Sequence, residues 1–227
     1  MKNKEISYEI IDFSGETNVQ FRTSVDPGSY IPTHWHRAIE IIYMQEGSLD
    51  VTVESESFTI HEGDCILVNG NVLHSTKCTA PNTAILLQIP LDFMAKYIPD
   101  LGQLLFLWDY RTDDPVKKTK LMMLKTTLEQ LQVINDIRPD GYLLRFNSLI
   151  FELLFQLYHN FSVKVFHQNI NQRQKEMDRL DPVLNYIAEH YKEPISLDEI
   201  ADIACLQTGY FCRFFKKKMG VTFLEYQ

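Results

Sequence analysis

The sequence has little of what marks secreted, membrane-spanning or nucleic-acid-coating chains. Only four of its 227 residues are cysteine (Cys65, Cys78, Cys205, Cys212), and no two stand in Cys-x-x-Cys spacing. Reduced thiols in a cytoplasmic protein are therefore expected. The opening Met1-Lys2-Asn3-Lys4-Glu5 leads into no apolar block, so no secretory signal is read there. The most apolar stretch, Tyr142 to Phe161, is interrupted by Arg145, Asn147, Glu152, Gln156 and His159. A bilayer span rarely carries so many polar groups, so a buried helix and no membrane partner are expected. Positive charge is also short: 22 Lys and Arg against 30 Asp and Glu give a net −8. A protein that coats nucleic acid non-specifically is thereby excluded.

What is present reads as globular, with 45% hydrophobic and 23% charged residues. The charge is uneven along the chain. Residues 1–90 are net −7, residues 91–180 net +1 and residues 181–227 net −2. Within the last segment Gln207–Met219 holds Arg213, Lys216, Lys217 and Lys218 and no acid.

Residues 1–90 read as β. Val19, Phe21, Thr23 and Val25 alternate with polar residues, as do Leu49, Val51 and Val53. Turn signals fall at Pro27-Gly28, Glu46-Gly47, Glu62-Gly63 and Asn69-Gly70-Asn71. Short strands with turns at such intervals predict a sandwich or barrel, closing with a strand over Ile85–Ile89. After Pro90 the period becomes helical. The spacing predicts helices over Leu91–Tyr97, Pro115–Asn135 and Tyr142–Phe161, a polar linker over 162–180, and a helical tail over 181–227. Tyr142–Phe161 is apolar on most of its circumference, so packing within the subunit and contact with a second copy are both open.

In that tail Asp181-Pro182 opens one helix. Ser196-Leu197-Asp198-Glu199 forms a capping box for a second, which runs to about Cys205. A third covers Gln207–Met219 and a last one starts near Thr222. Two helices joined by a short turn have the lengths of a helix-turn-helix. Gly209, Cys212, Arg213 and Lys216 form a stripe separate from the apolar Phe211, Phe214 and Phe215. Arg213 suits a bidentate contact to guanine, Lys216 and Lys217 suit phosphates, and Thr208 suits the DNA backbone near the helix start. A merely solvated basic face is the alternative.

His34, His36 and Glu40 share one parity, and on a single extended run would project to one face. With His74 they make a candidate site for one divalent transition metal (Zn, Ni, Fe or Mn), octahedral or tetrahedral with open positions. Paired histidines in a barrel mouth also serve as ligand contacts without metal. Arg22, Tyr30 and Tyr43 are further candidates to stack on or hydrogen-bond a small molecule.

The spacing Gly28, His34, His36, Glu40, Gly47 resembles the first motif of the cupin family, small jelly-roll β-barrels. Gly63 and His74 fit the second motif. There Asn69 stands in place of the family's proline, Asn71 of its glycine and Cys78 of its asparagine. Ser196–Tyr226 resembles the first of two helix-turn-helix units of AraC/XylS transcription regulators. That likeness rests on Leu197, Ile200, Ala201, the run Tyr210-Phe211-x-Arg213-x-Phe215-Lys216, Gly220, Phe223 and Tyr226. Cys205 takes the usual turn glycine and Gln207 the usual serine. The family's second unit is missing from these residues, so a truncated DNA-binding domain is expected. The resemblance implies a mixed β and α protein. Residues 1–90 form an effector-sensing cupin barrel and 91–161 a helical segment that makes a homodimer. Residues 162–180 form the linker and 181–227 the DNA reader. It implies a ligand-responsive regulator without catalytic residues, which senses a small molecule such as a sugar. A metal-dependent cupin dioxygenase or isomerase is the alternative.

Overall fold

The computed structural model describes residues 7–13, 15–165, 179–180, 182–184, 186–187, 190, 194–219 and 221–226. The chain divides into two compact units, Glu9–Val165 and Met1–Tyr8 with Phe166–Gln227.

In the first unit the strands are β2 (Gln20–Asp26), β3 (Tyr30–Trp35), β4 (Ala38–Glu46), β5 (Ser48–Val53), β6 (Glu56–His61), β7 (Cys65–Val68), β8 (His74–Lys77) and β9 (Asn82–Pro90). β9 begins three residues before the run expected from its apolar residues. One sheet orders β2-β9-β4-β7, and the other contains β3-β8-β5-β6, all pairs antiparallel. Ile42, Met44, Val51, Ile60, Ile66 and Ala84 fill the space between the sheets. This is the expected jelly-roll layering. Glycine is required at the β4–β5 turn. Gly47 has φ +79°, and a Cβ there would meet the Pro81 carbonyl oxygen at 2.8 Å.

Helices cover the outer face of the β2-β9-β4-β7 sheet. They are α1 (Leu91–Ala95), α2 (Pro115–Ile137) and α3 (Tyr142–Gln156). The side chain of Asp114 caps α2 by accepting from the amides of Val116 and Lys117, and Pro115 sets the first turn. The stripe Leu121, Leu124, Leu128, Leu131 packs with Phe146, Leu149, Ile150, Leu153 and Leu154 of α3 onto Ile39, Ile41, Ile85 and Leu87. β4 is thus buried on both faces, which explains the consecutive apolar residues Ile41-Ile42-Tyr43-Met44. The expected single helix to Phe161 instead widens into a π-turn at Leu157–Phe161. Beyond it, Ser162–Lys164 (β11) pairs with Leu104–Phe106 (β10), a contact between short segments that carry no alternating signal.

The second unit holds β1 (Ser7–Tyr8) and the helices α4 (Leu197–Ile203), α5 (Thr208–Met219) and α6 (Phe223–Tyr226). Asp181, proposed as a helix cap, lies outside the described residues, as do most of residues 162–180; residues 182–184, 186, 187 and 190 are helical. The Ser196 side chain accepts from the Glu199 amide at 3.2 Å, the expected forward half of a capping box. The Glu199 carboxylate accepts from the Tyr186 hydroxyl, so that group is engaged elsewhere. Phe211, Phe215 and Phe223 form the buried aromatic centre, with Tyr226 edge-on to Phe215. Among the described residues, no helix is long and apolar enough to cross a membrane.

Candidate functional site

The cluster of histidines forms where the chain crosses from one sheet to the other. β3 ends at Trp35 and β4 begins at Ala38, so His34–Glu40 is not one extended run. His34 comes from β3, His36 from the crossing, Glu40 from β4 and His74 from the start of β8, opposite His34. All four are buried. The ring centroids of His34 and His74 lie 4.1 Å apart, and those of His36 and His74 4.9 Å.

Each imidazole is oriented by the backbone. Nδ1 lies 2.8 Å from the Pro32 carbonyl for His34, 3.0 Å from that of Ala38 for His36, and 2.9 Å from that of Val72 for His74. A carbonyl only accepts, so each Nδ1 carries the proton and donates. The three Nε2 atoms are left as the ligating positions, and one ligand atom from each ring lies within 4.8 Å of the others. Histidine ligands of metals are commonly held this way. Nε2 of His74 is buried without a hydrogen-bond partner.

Carboxylates close the cluster. Glu40 Oε2 is 3.2 Å from His36 Nε2 and Glu40 Oε1 is 3.9 Å from His74 Nε2. Gln88 of β9 donates to Glu40 Oε2 at 2.6 Å. Glu9 adds a second carboxylate, 3.4 Å from His34 Nε2 and 4.0 Å from that of His36. With bond lengths of about 2.1 Å, adjacent ligands of one divalent ion are about 3.0–3.4 Å apart. The closest N···O pairs, at 3.2 and 3.4 Å, fall at that spacing, and the wider ones, at 3.9 and 4.0 Å, would have to draw in, so the donor set is of a kind that could hold a metal.

The electrostatics follow from this crowding. Burial pushes His74 down to about 4, since Glu40 only partly offsets desolvation. Burial of Glu40 works against its ionisation, but the hydrogen bond to His36 and the charges of His74 and His36 outweigh it and hold the carboxyl at about 2. Desolvation opposes protonation of His34 as well; its hydrogen bond with Glu9 wins and raises it. The same bond lowers Glu9.

The other small-molecule candidates part ways. Arg22 stands beside Leu86, which lies beside Ile42 of β4, so it shares the inter-sheet face, exposed on an edge strand. Tyr43 is on the opposite face of β4 from Glu40, and its hydroxyl donates to Glu129 of α2. Tyr30 pairs with Lys77, and the register shifts between Ile31 and His34. That irregularity breaks the parity with His34 and leaves Tyr30 on the outer face, 57% exposed. Tyr30 and Tyr43 therefore do not line the histidine site.

Sequence reasoning missed Glu9 and Gln88. Gln88 carried a signal, a single amide within the apolar run Ile85–Ile89. Glu9 carried none. The departures from the second motif each have a local role. Asn71 adopts φ +64°, a conformation that asparagine tolerates in place of glycine. Asn69 donates to the Phe106 carbonyl and accepts from the Phe106 amide, both at 2.9 Å, which fastens β10 to the barrel. Cys78 accepts from Asn82 Nδ2 at 3.1 Å.

In the second unit the predicted reading stripe is accessible. Gly209, Arg213, Lys216 and Lys217 are exposed, and Thr208 and Cys212 half-buried. Thr208 donates to Asp198 of α4 at 2.7 Å, tying the start of α5 to its neighbour. Cys205 turns the chain between α4 and α5 with φ +52°, the region where the family's glycine is free of strain.

Residues 21–90 match the cupin domain family (Cupin_2), and residues 187–227 match the bacterial regulatory helix-turn-helix proteins of the AraC family. YdeC of Bacillus subtilis, an uncharacterized HTH-type transcriptional regulator, is 24% identical across 100% of this chain and 81% of its own length. LumQ of Photobacterium leiognathi, a probable transcriptional regulator, is 27% identical over 85% of this chain and 70% of its own. An RmlC-like cupin from Shewanella frigidimarina shares 26% identity over 33% of this chain and 70% of that chain, with a TM-score of 0.30. The chain joins an N-terminal cupin domain to a C-terminal DNA-binding helix-turn-helix of AraC type. It is a transcriptional regulator of that two-part design.

Proposed function

We propose that this regulator is ligand-responsive, with the cupin pocket sensing a small molecule and α5 reading DNA sequence. The observation that carries the reading is the convergence of three backbone-oriented imidazoles and Glu40 on one buried point. His34, His36, Glu40 and His74 would hold a divalent transition metal there, a Lewis acid for oxygen-bearing ligands. Gln88 positions Glu40, and Arg22, on the same sheet face, would meet a polar metabolite such as a sugar. No side chain is assigned a catalytic step, and the protein is taken to act in the cytoplasm. Ligand binding must favour one of two states that differ in DNA affinity.

The protein is also taken to be a homodimer through α3. That helix buries one face within its own unit, yet leaves Leu144 81%, Phe151 42% and Phe155 58% exposed along one side.

The test has two parts. Elemental analysis of the purified chain should find one equivalent of a transition metal, absent when His34 and His36 are both alanine. Duplexes selected from a random library should lose affinity on Arg213→Ala by about 1–3 kcal/mol, at one base position, whereas Lys216→Ala should weaken all duplexes alike. Turnover of a small substrate by the metal-loaded chain, with no selected duplex, would instead support the cupin-enzyme reading.

A further inference from the structure

Glu9 lies outside both cupin motifs, yet its carboxylate reaches the histidine cluster. Its amide donates to the Trp35 carbonyl at 2.9 Å, which lays the segment alongside the end of β3 between His34 and His36. The contacts of Glu9 and Glu40 share one anomaly. With each Nδ1 proton committed to a carbonyl, a neutral imidazole presents an Nε2 lone pair. At 3.4 Å from Glu9 and 3.2 Å from Glu40, those lone pairs face carboxylate oxygens. Acceptor against acceptor is repulsive unless positive charge sits between them, which a proton on Nε2 supplies in the metal-free pair, as the raised His34 and lowered Glu9 reflect, and which a shared cation would supply in its place. Two carboxylates and three neutral imidazoles carry a net −2, which one divalent cation neutralises.

We infer that Glu9 is a fifth ligand of the cation held by His34, His36, Glu40 and His74, and that it fills the position open to a small-molecule carboxylate. The inference rests on the cation reading of the pocket. Exposure supports the assignment of the exchangeable place to Glu9. Its side chain is 43% exposed, whereas that of Glu40 is 7% exposed and fixed by Gln88. Exchange of Glu9 for an incoming carboxylate keeps the site neutral, so no buried charge is created. A neutral ligand that displaced Glu9 would leave the cation one negative charge short. The ligand class is therefore a small carboxylic acid or a sugar acid, in preference to a neutral sugar.

The test uses the full chain stripped of metal and titrated with Co(II), followed by calorimetry and by the visible spectrum. Glu9→Gln should weaken Co(II) binding at least about tenfold and alter the spectrum. Glu9→Ala should do the same, and added acetate should restore the wild-type spectrum at concentrations that leave the wild type unchanged. His36→Ala serves as the reference. If His36→Ala abolishes binding while both Glu9 variants match the wild type in affinity and spectrum, Glu9 is no ligand and the inference falls, with the cation site intact. If His36→Ala also binds as the wild type does, or the wild type binds no Co(II), the cation reading itself is overturned. Loss of affinity in Glu9→Ala with no response to acetate would refute the exchangeable position.

Discussion

His74 makes the metal-free cupin unit sensitive to mild acid, and the size of the effect follows from its burial. Its imidazole is held at about 4, whereas an unfolded chain returns it to about 6.5. The unfolded state therefore takes up a proton as the pH drops through 6.5, and the folded state does not until about 4. Stability contributed by His74 is complete above 6.5 and is lost progressively towards 4, at about 1.4 kcal/mol per pH unit. Between pH 7 and pH 5 the loss from His74 alone is about 2 kcal/mol. Glu40, lowered to about 2, contributes stability present above its ordinary 4.5 and lost only below, so it barely enters this window. His34 has the opposite sign. Its raised value gives stability that is present at low pH and lost as the pH rises through its folded value, which offsets part of the His74 effect. Subtracting a variant isolates His74. In His74→Asn the amide can still donate to the Val72 carbonyl, but nothing titrates. Urea unfolding of EDTA-treated protein, followed by tryptophan fluorescence, is the assay. Trp35 and Trp108 are the only tryptophans and both lie in the Glu9–Val165 unit, so the signal reports that unit. The wild-type midpoint should fall by roughly 1 M more than the variant's between pH 7 and pH 5. Equal shifts in the two proteins would refute a buried, neutral His74.

Asn69→Ala should destabilise the same unit. It removes both bonds to Phe106, a residue only 2% exposed, and leaves a buried amide and carbonyl unpaired. The expected cost is about 3 kcal/mol, or roughly 10 °C in a fluorescence-detected melt, and a shift within error would mean that water replaces the side chain. Replacing Leu144, Phe151 and Phe155 together by serine should convert dimer to monomer in sedimentation velocity, with the melting temperature lowered modestly by loss of the edge contact of Phe151 with Tyr97. A dimer that survives would move the interface off α3.

The layering was legible because each of its signals is local. Alternation in Leu49–Val53, the turns at glycine and the leucine stripe of α2 each depend on neighbours a few residues away. The histidine spacing brought out His34, His36, Glu40 and His74, although the premise of one extended run was mistaken. They converge because the chain changes sheets at His36 and Arg37, so strands of both sheets supply the donors. Nearness in sequence and aromatic chemistry were poor guides at Tyr30, where a register shift intervenes, and at Tyr43, which stands on the face of β4 opposite Glu40. Glu9 was illegible in principle. Nothing in its neighbours marks it, and it meets His34 only through the folding of a segment ahead of the barrel. The β10–β11 pair escaped for the same reason, since three-residue strands separated by two helices leave no periodic trace.

The two faces of β4 bear on how a pocket event reaches the helices. Glu40, Ile42 and Met44 point between the sheets, while Ile39, Ile41 and Tyr43 point to the helical layer. Tyr43 donates to Glu129 of α2. Gln45 and Gln132 exchange amide hydrogen bonds at 2.7 and 3.0 Å, and Gln132 also donates to Thr23 of β2. Glu40 is thus only three residues from a polar seam that fastens the sheet to α2, and α2 packs along α3. A strand packed at interior density on both faces does not absorb a displacement as a loop does; it passes it on. A change of charge or partner at Glu40 has a short physical path, one strand and one helix pair, to the exposed side of α3. For the surface that would join two copies to respond to the pocket, no longer route is needed.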